Sequence, residues 1–258
     1  RKALRGETAM SPFRSMWYAA RRAMLKYVIP EWYWPRSVML DGVEIPVRGA
    51  KLNFGTKRWI ANGLYEIDER NLIDSVVAPG MHVVEMGSSI GVLARILAHK
   101  VGPNGRVVSI EASPQLYQLA TTWCPVPETL RLVNGYAFPL KSADHVAVSG
   151  FQTDGSELDG RAVWNLDSEA DSSNWDFSRI ERELGMVPDV LVVDIEGGEA
   201  VLRSQLAQIP QHTQHLILEF HPHLYGSEGV HEIIETLSRE GFKAAAVSGL
   251  CTRFSRIS

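Results

Sequence analysis

The chain has 258 residues, 45% hydrophobic and 22% charged, with a formal net charge of −4. That is ordinary globular composition, long enough for one large domain with embellishments. It gives no overall case for a nucleic-acid partner, and no apolar run approaches the ~18 residues of a membrane span. Two cysteines, Cys124 and Cys251, with no CxxC pair, argue against a disulfide framework and a zinc site, and point to a reducing, cytoplasmic compartment. No secretory h-region with a cleavage site is visible. Because the chain starts at Arg1 rather than Met, a native N-terminus upstream of it is expected.

Residues 1–36 differ from the rest. Arg1, Lys2, Arg5, Arg14, Arg21, Arg22, Lys26 and Arg36 stand against Glu7 and Glu31, with Phe13, Trp17, Tyr18, Tyr27, Trp32, Tyr33 and Trp34 between them. Met16, Ala20, Ala23, Met24 and Tyr27 fall at helical spacing, which predicts an amphipathic helix over 12–28. Peripheral contact with an anionic membrane or glycolipid is one reading of it. The preferred reading is a helix packed on the domain with its arginines in solvent.

Residues 37–60 read as short strands, with Asp41-Gly42 as the turn of a hairpin between 38–40 and 43–47. A helix follows over 68–77, and Ala78-Pro79-Gly80 turns the chain into a buried strand, 81–85. From there strands and helices alternate: helix 90–99, strand 106–111, helix 113–122 capped by Ser113-Pro114, and strand 130–134. A hairpin strand follows at 146–151. The acidic, polar stretch 152–178 reads as a lid or mobile insertion. Strand 190–194, helix 199–207, strand 216–220, helix 231–240 and strands 242–248 and 251–256 complete the chain. Such alternation predicts an α/β fold, a parallel sheet covered on both faces. The domain expected is 37–258, preceded by the basic extension 1–36.

Two constellations carry chemistry. In the first, Val83-Val84-Glu85-Met86-Gly87-Ser88-Ser89-Ile90-Gly91 is a strand, a glycine turn and a helix start, and Val107-Val108-Ser109-Ile110-Glu111 is the next strand, ending in a carboxylate. Bare glycine lets backbone approach a ligand, and a strand-end carboxylate can accept hydrogen bonds from both hydroxyls of a ribose. The spacing is not Gly-x-Gly-x-x-Gly, and Glu85 would repel a pyrophosphate. It suits a cationic group such as the amino group of S-adenosylmethionine (SAM).

In the second, Val193-Asp194-Ile195-Glu196-Gly197-Gly198-Glu199 sets three carboxylates where a buried strand gives way to a helix. Leu218-Glu219-Phe220-His221-Pro222-His223 adds a carboxylate and two histidines at the same sheet edge. Glu199 is explained as a helix-end charge, Asp194 is not, and His221 is the better of the two histidines as a proton acceptor.

Together these segments resemble the FkbM family of class I SAM-dependent methyltransferases. Asn62-Gly63-Leu64-Tyr65-Glu66, the run from Pro79 to Gly91, the run from Val101 to Pro114, Asn134-Gly135-Tyr136-Ala137, the Asp194–Glu199 element and Leu218-Glu219-Phe220-His221-Pro222 occur in the family's order over about 38–250. The resemblance implies a Rossmann-like, mostly parallel seven-stranded sheet with helices on both faces, here with an added N-terminal helix and β-hairpin. It also implies SAM as methyl donor, and O-methylation of a sugar, glycolipid or natural-product hydroxyl. The chain departs from the family at Glu85 (usually Asp), at Ser88-Ser89 (usually Ala-Asn), at Val193 (commonly Lys) and over 178–188.

The expected cofactor-contacting set is Glu66, Glu85, Met86, Gly87, Ser88, Ser89, Gly91, Glu111, Ala112, Asn134, Gly135 and Asp194, with Tyr65 beside Glu66. Glu85 orients the amino-acid end, Glu111 holds the ribose and Asn134 lies near the adenine. Asp194, His221 and Glu196 are the expected catalytic residues. Asp194, Glu196, Glu219 and His221 are hard donors, but their spacing is no metal signature, so no metal is expected. The expected partner is a small-molecule or glycan acceptor, with no nucleic acid; the oligomeric state is left open. The alternatives are a catalytically silent SAM-binding module and, further off, a nicotinamide oxidoreductase.

Overall fold

The computed structural model describes residues 30–137, 147–153, 160–165, 174–185, 187–195, 198 and 206–257. The helix expected over 12–28 and most of that over 199–207 lie outside the described residues. So do Glu196 and Glu199.

The chain divides into two compact units, one of residues 1–38 and 46–65, the other of 39–45 and 66–258. This differs from the expected boundary near residue 36, because a segment following the hairpin belongs with the N-terminal part. The hairpin forms as expected, β1 (Ser37–Leu40) pairing with β2 (Val43–Pro46). The strands expected through residue 60 give way to a helix, α1 (Phe54–Ala61). Asn53 caps it by accepting from the Thr56 N–H at 2.9 Å.

The larger unit is built on a seven-stranded sheet. After α2 (Ile67–Asp74) come β3 (His82–Met86), α3 (Val92–Val101), β4 (Arg106–Glu111), α4 (Pro114–Thr122) and β5 (Leu130–Asn134). The chain then makes β6 (Tyr136–Ala137), a hairpin of β7 (Ala147–Thr153) and β8 (Gly160–Asn165), and β9 (Asn174–Trp175), which pairs with β6. α5 (Phe177–Leu184) leads to β10 (Val190–Val193) and β11 (His215–Glu219). α6 (Pro222–Arg239, kinked at Gly226), β12 (Phe242–Ser248) and β13 (Cys251–Arg256) follow. The order across the sheet is β5, β4, β3, β10, β11, β13, β12. Neighbours from β5 to β11 are parallel, while β13 runs antiparallel to both β11 and β12. This is the class I methyltransferase sheet.

Period-2 alternation fixes both faces. In β3 and β10, Val83, Val190 and Val192 enter the core under α3, with Leu93, Leu97 and Val101. Val84, Leu191 and Val193 enter the opposite core with Phe177, Ile180, Ile233 and Leu237. The stretch expected as a lid therefore contains ordered parts: Trp175 is buried in that second core, and Asp176 caps α5 through the Arg179 N–H. Chain order reverses between β3 and β10, so the carboxyl ends of these two strands open the crevice in which such sheets bind ligands.

Candidate functional site

The crevice floor is the turn after β3. The Gly87 and Ser88 N–H groups both donate to the Ile110 carbonyl, at 2.9 and 3.1 Å, and Gly91 donates to the Ser88 carbonyl at 2.7 Å. Gly87 has φ +94 and Gly91 φ +74, which glycine adopts without strain; Ser89, at φ +47, has a side chain in the same left-handed region. Across the switch point, Asp194 donates its N–H to the Met86 carbonyl at 2.9 Å, so the end of β10 lies directly on the turn. Met86 itself points into the hydrophobic core and offers the site only backbone.

Glu111 closes the next side. Its two oxygens accept from the Ser89 and Ser113 amides, each at 2.7 Å, and Asn134 Nδ2 donates to the Glu111 carbonyl at 2.7 Å. Gly135 N–H donates to the same carbonyl, and Ala112 accepts a longer bond from Asn134. The structure thus brings Glu111, Ala112, Asn134 and Gly135 together at one strand end. Burial pushes the Glu111 carboxyl up to about 7, against the pull of those amides.

Glu85 sits deeper than its expected role suggests. It is buried, accepts from the Ser109 hydroxyl, and burial drives it up to about 8, so it is neutral at pH 7. Glu66 heads α2 with a left-handed backbone, its charge felt by Arg70.

The second constellation gathers at the ends of β10 and β11. His221 is buried, and its Nε2 lies 3.6 Å from Asp194 Oδ1, within ion-pair range. Glu219, Asp194 and His221 bring one ligand atom each within 4.8 Å of one another. Behind them Glu69 of α2 accepts from the Cys251 thiol at 3.2 Å and is hydrogen-bonded to Glu219. A hydrogen bond between two carboxyl groups requires a shared proton. Burial and the Asp194 and Glu69 carboxylates accordingly hold Glu219 far above the ordinary carboxylate range. Glu69 and Cys251 are the members of this cluster that sequence reasoning missed.

The residues fit SAM. The Ser88 hydroxyl is buried at the turn and has no hydrogen-bond partner among the described residues, as suits a polar group that a ligand would satisfy. The Gly87 position has no room for a side chain, and Glu111 stands at the next strand end.

Comparison with known proteins agrees on the cofactor half. Residues 52–125 match the family model of protein-L-isoaspartate(D-aspartate) O-methyltransferase (PCMT). A wheat (Triticum aestivum) protein-L-isoaspartate O-methyltransferase is 42% identical over 50 residues, 19% of this chain and 22% of that protein. The match thus spans about a fifth of that relative's length. Among solved structures, Aeropyrum pernix fibrillarin with natively bound SAM aligns over 90% of this chain and 86% of its own, at 14% identity and a TM-score of 0.48. The Methanococcus jannaschii fibrillarin pre-rRNA processing protein aligns over 70% of this chain and 68% of its own, at 13% identity and a TM-score of 0.43.

The cofactor is SAM. The partner expectation, a small-molecule or glycan acceptor and no nucleic acid, needs correction: the matched family model and the wheat relative are both named for a protein acceptor, so macromolecular acceptors are not excluded. The physical reason is that overall net charge, on which the exclusion rested, averages over regions of opposite sign. No helix among the described residues is long and apolar enough to cross a membrane.

Proposed function

We propose that the chain is a SAM-dependent O-methyltransferase that acts on a hydroxyl, foremost a sugar hydroxyl. The observation that carries this reading is the His221–Asp194 pair, 3.6 Å apart, with the Asp194 backbone lying against the glycine turn. When bound, SAM supplies a methyl group activated on a sulfonium. A hydroxyl is a poor nucleophile until its proton leaves, and imidazole accepts protons near neutral pH. His221 takes that proton as the oxygen–carbon bond forms and the carbon–sulfur bond breaks, and Asp194 stabilises the resulting imidazolium. Gly87, Ser88 and Glu111 hold the donor in line. Glu196 remains a candidate for contact with the acceptor. The FkbM-like Asp194–Glu199 element supports the same reading.

A second reading, methylation of an isoaspartyl carboxyl group, is favoured by the family match. A carboxylate acceptor is already ionised and needs no base. It would also face the Asp194 carboxylate, a repulsive setting. The match ends at residue 125, before any of the acid–base groups at 194–221.

Transfer of radiolabelled methyl from SAM is the test. The acceptor panel holds oligosaccharides, glycolipids, RNA and isoaspartyl peptides. Transfer to a sugar hydroxyl, lost in His221→Gln, is the expected result. Transfer to isoaspartyl peptides alone, or SAM binding with no turnover on any acceptor, contradicts it.

A further inference from the structure

Charge is divided between the two units. Residues 1–38 and 46–65 carry twelve Lys and Arg against two acidic residues, while the remainder carries fourteen against twenty-eight. In the described part of the smaller unit the one acid, Glu31, is already engaged, pairing with the buried Lys57 and accepting from the Gly49 N–H at 2.9 Å. Arg36, Arg48, Lys51 and Arg58 are exposed. Arg48 donates to the Trp34 carbonyl at 2.8 and 2.6 Å and to the Trp32 carbonyl at 3.1 Å, neutral acceptors, and its charge is also felt by Glu31.

The same unit exposes flat aromatic faces. Trp32 is 73% exposed, Tyr33 63% and Trp59 55%. They are not loose. Trp32 and Tyr33 lie on the 3-10 turn Glu31–Tyr33, which is anchored by buried Trp34 against Phe54 (ring centroids 5.4 Å apart). Trp59 lies on α1, whose Thr56, Lys57 and Ile60 are buried and whose Arg58 and Trp59 face solvent.

We propose that this unit binds single-stranded nucleic acid, with the arginines and Lys51 against phosphates and Trp32, Tyr33 and Trp59 stacking on unpaired bases. Cations interleaved with exposed rings match a polyanion whose bases present π-faces. A lipid surface fits less well. An interfacial helix needs a continuous apolar stripe, whereas the outward face of α1 is one Arg–Trp pair, and Leu64 is the one exposed large aliphatic side chain of the unit's described residues. The inference concerns binding, and stands whether or not the nucleic acid is the methyl acceptor.

Fluorescence anisotropy on the full chain tests it, with a labelled single-stranded RNA 20-mer, the same sequence as duplex, and vesicles of phosphatidylserine and phosphatidylcholine. Binding is expected to favour the single strand. With about four phosphate contacts, it should weaken about fifty-fold between 50 and 200 mM salt. Trp32→Ala and Trp59→Ala should each weaken it about tenfold with SAM binding unchanged. Should the aromatic variants misfold, Arg36→Ser and Arg58→Ser provide an independent reading: each should lower the salt slope by about 0.7. Vesicle binding without RNA binding, duplex preference, or RNA binding indifferent to both the aromatic and the arginine changes overturns the proposal.

Discussion

A β-carbon on Gly87 would lie 1.6 Å from the carbonyl oxygen of Asp194. The first cofactor strand and the proposed catalytic strand therefore meet backbone to backbone, with no room for any side chain between them. The residue also holds φ +94, which L-residues rarely adopt. Gly87→Ala is expected to lower stability by more than about 3 kcal/mol and to abolish SAM binding, since separating β3 from β10 dismantles the crevice. Thermal unfolding and equilibrium binding check both effects.

Ser88→Ala separates a structural from a ligand-holding role. The hydroxyl is buried and without a hydrogen-bond partner among the described residues, so removing it should leave stability unchanged or raise it by up to about 1 kcal/mol. SAM affinity should fall about tenfold. A stability loss with unchanged affinity would assign the hydroxyl to the fold instead.

Glu85 makes stability depend on pH. Its carboxyl titrates near 8 when folded, against an ordinary value of 4.5. Between those values the folded state holds a proton that the unfolded state has released, so stability falls as pH rises across that window and levels off above it. The stabilisation is fully present below 4.5 and amounts to about 5 kcal/mol lost by pH 9. Denaturant titrations at pH 5, 7 and 9 should show this slope, and Glu85→Gln should flatten it.

Asp194→Asn and His221→Gln probe the acid–base pair. Each should cut kcat by about 100- to 10,000-fold while SAM affinity stays within about threefold. A proportional loss of SAM binding would make the pair part of the cofactor pocket rather than of proton transfer.

The sheet was legible because its signals are local. Val83-Val84 and Leu191-Val192 alternate between faces, and Ser113-Pro114 marks a helix start wherever it occurs. Two helices carry only weak local signals. α1 buries only Thr56, Lys57 and Ile60, too thin a stripe to read, although Asn53 was a usable cap. α5 starts only at the end of the acidic stretch 152–178 that reads as a lid, although Asp176 and left-handed Gly185 bound it at either end. The positions of Gly87, Glu111 and Asn134 at strand ends were readable because strand and turn boundaries are local signals, and such sheets open their crevice there. Glu69 and Cys251 were not: they come from α2 and β13, are 182 residues apart, and meet only because those elements pack at the same edge. The buried state of Glu85 was equally hidden, since it depends on Ser109 one strand away.

Calorimetric titration of SAM and of its demethylated product into the full chain tests the central claim most directly, run at pH 6 and pH 8 with Glu111→Ala alongside. Because the Glu111 carboxyl titrates near 7 and its ionised form accepts the ribose hydroxyls, one-site binding is predicted to be tighter at pH 8 than at pH 6, and at least tenfold weaker in the variant. No heat from either ligand on folded protein, or binding indifferent to Glu111, would contradict a nucleoside held between the glycine turn and the end of β4.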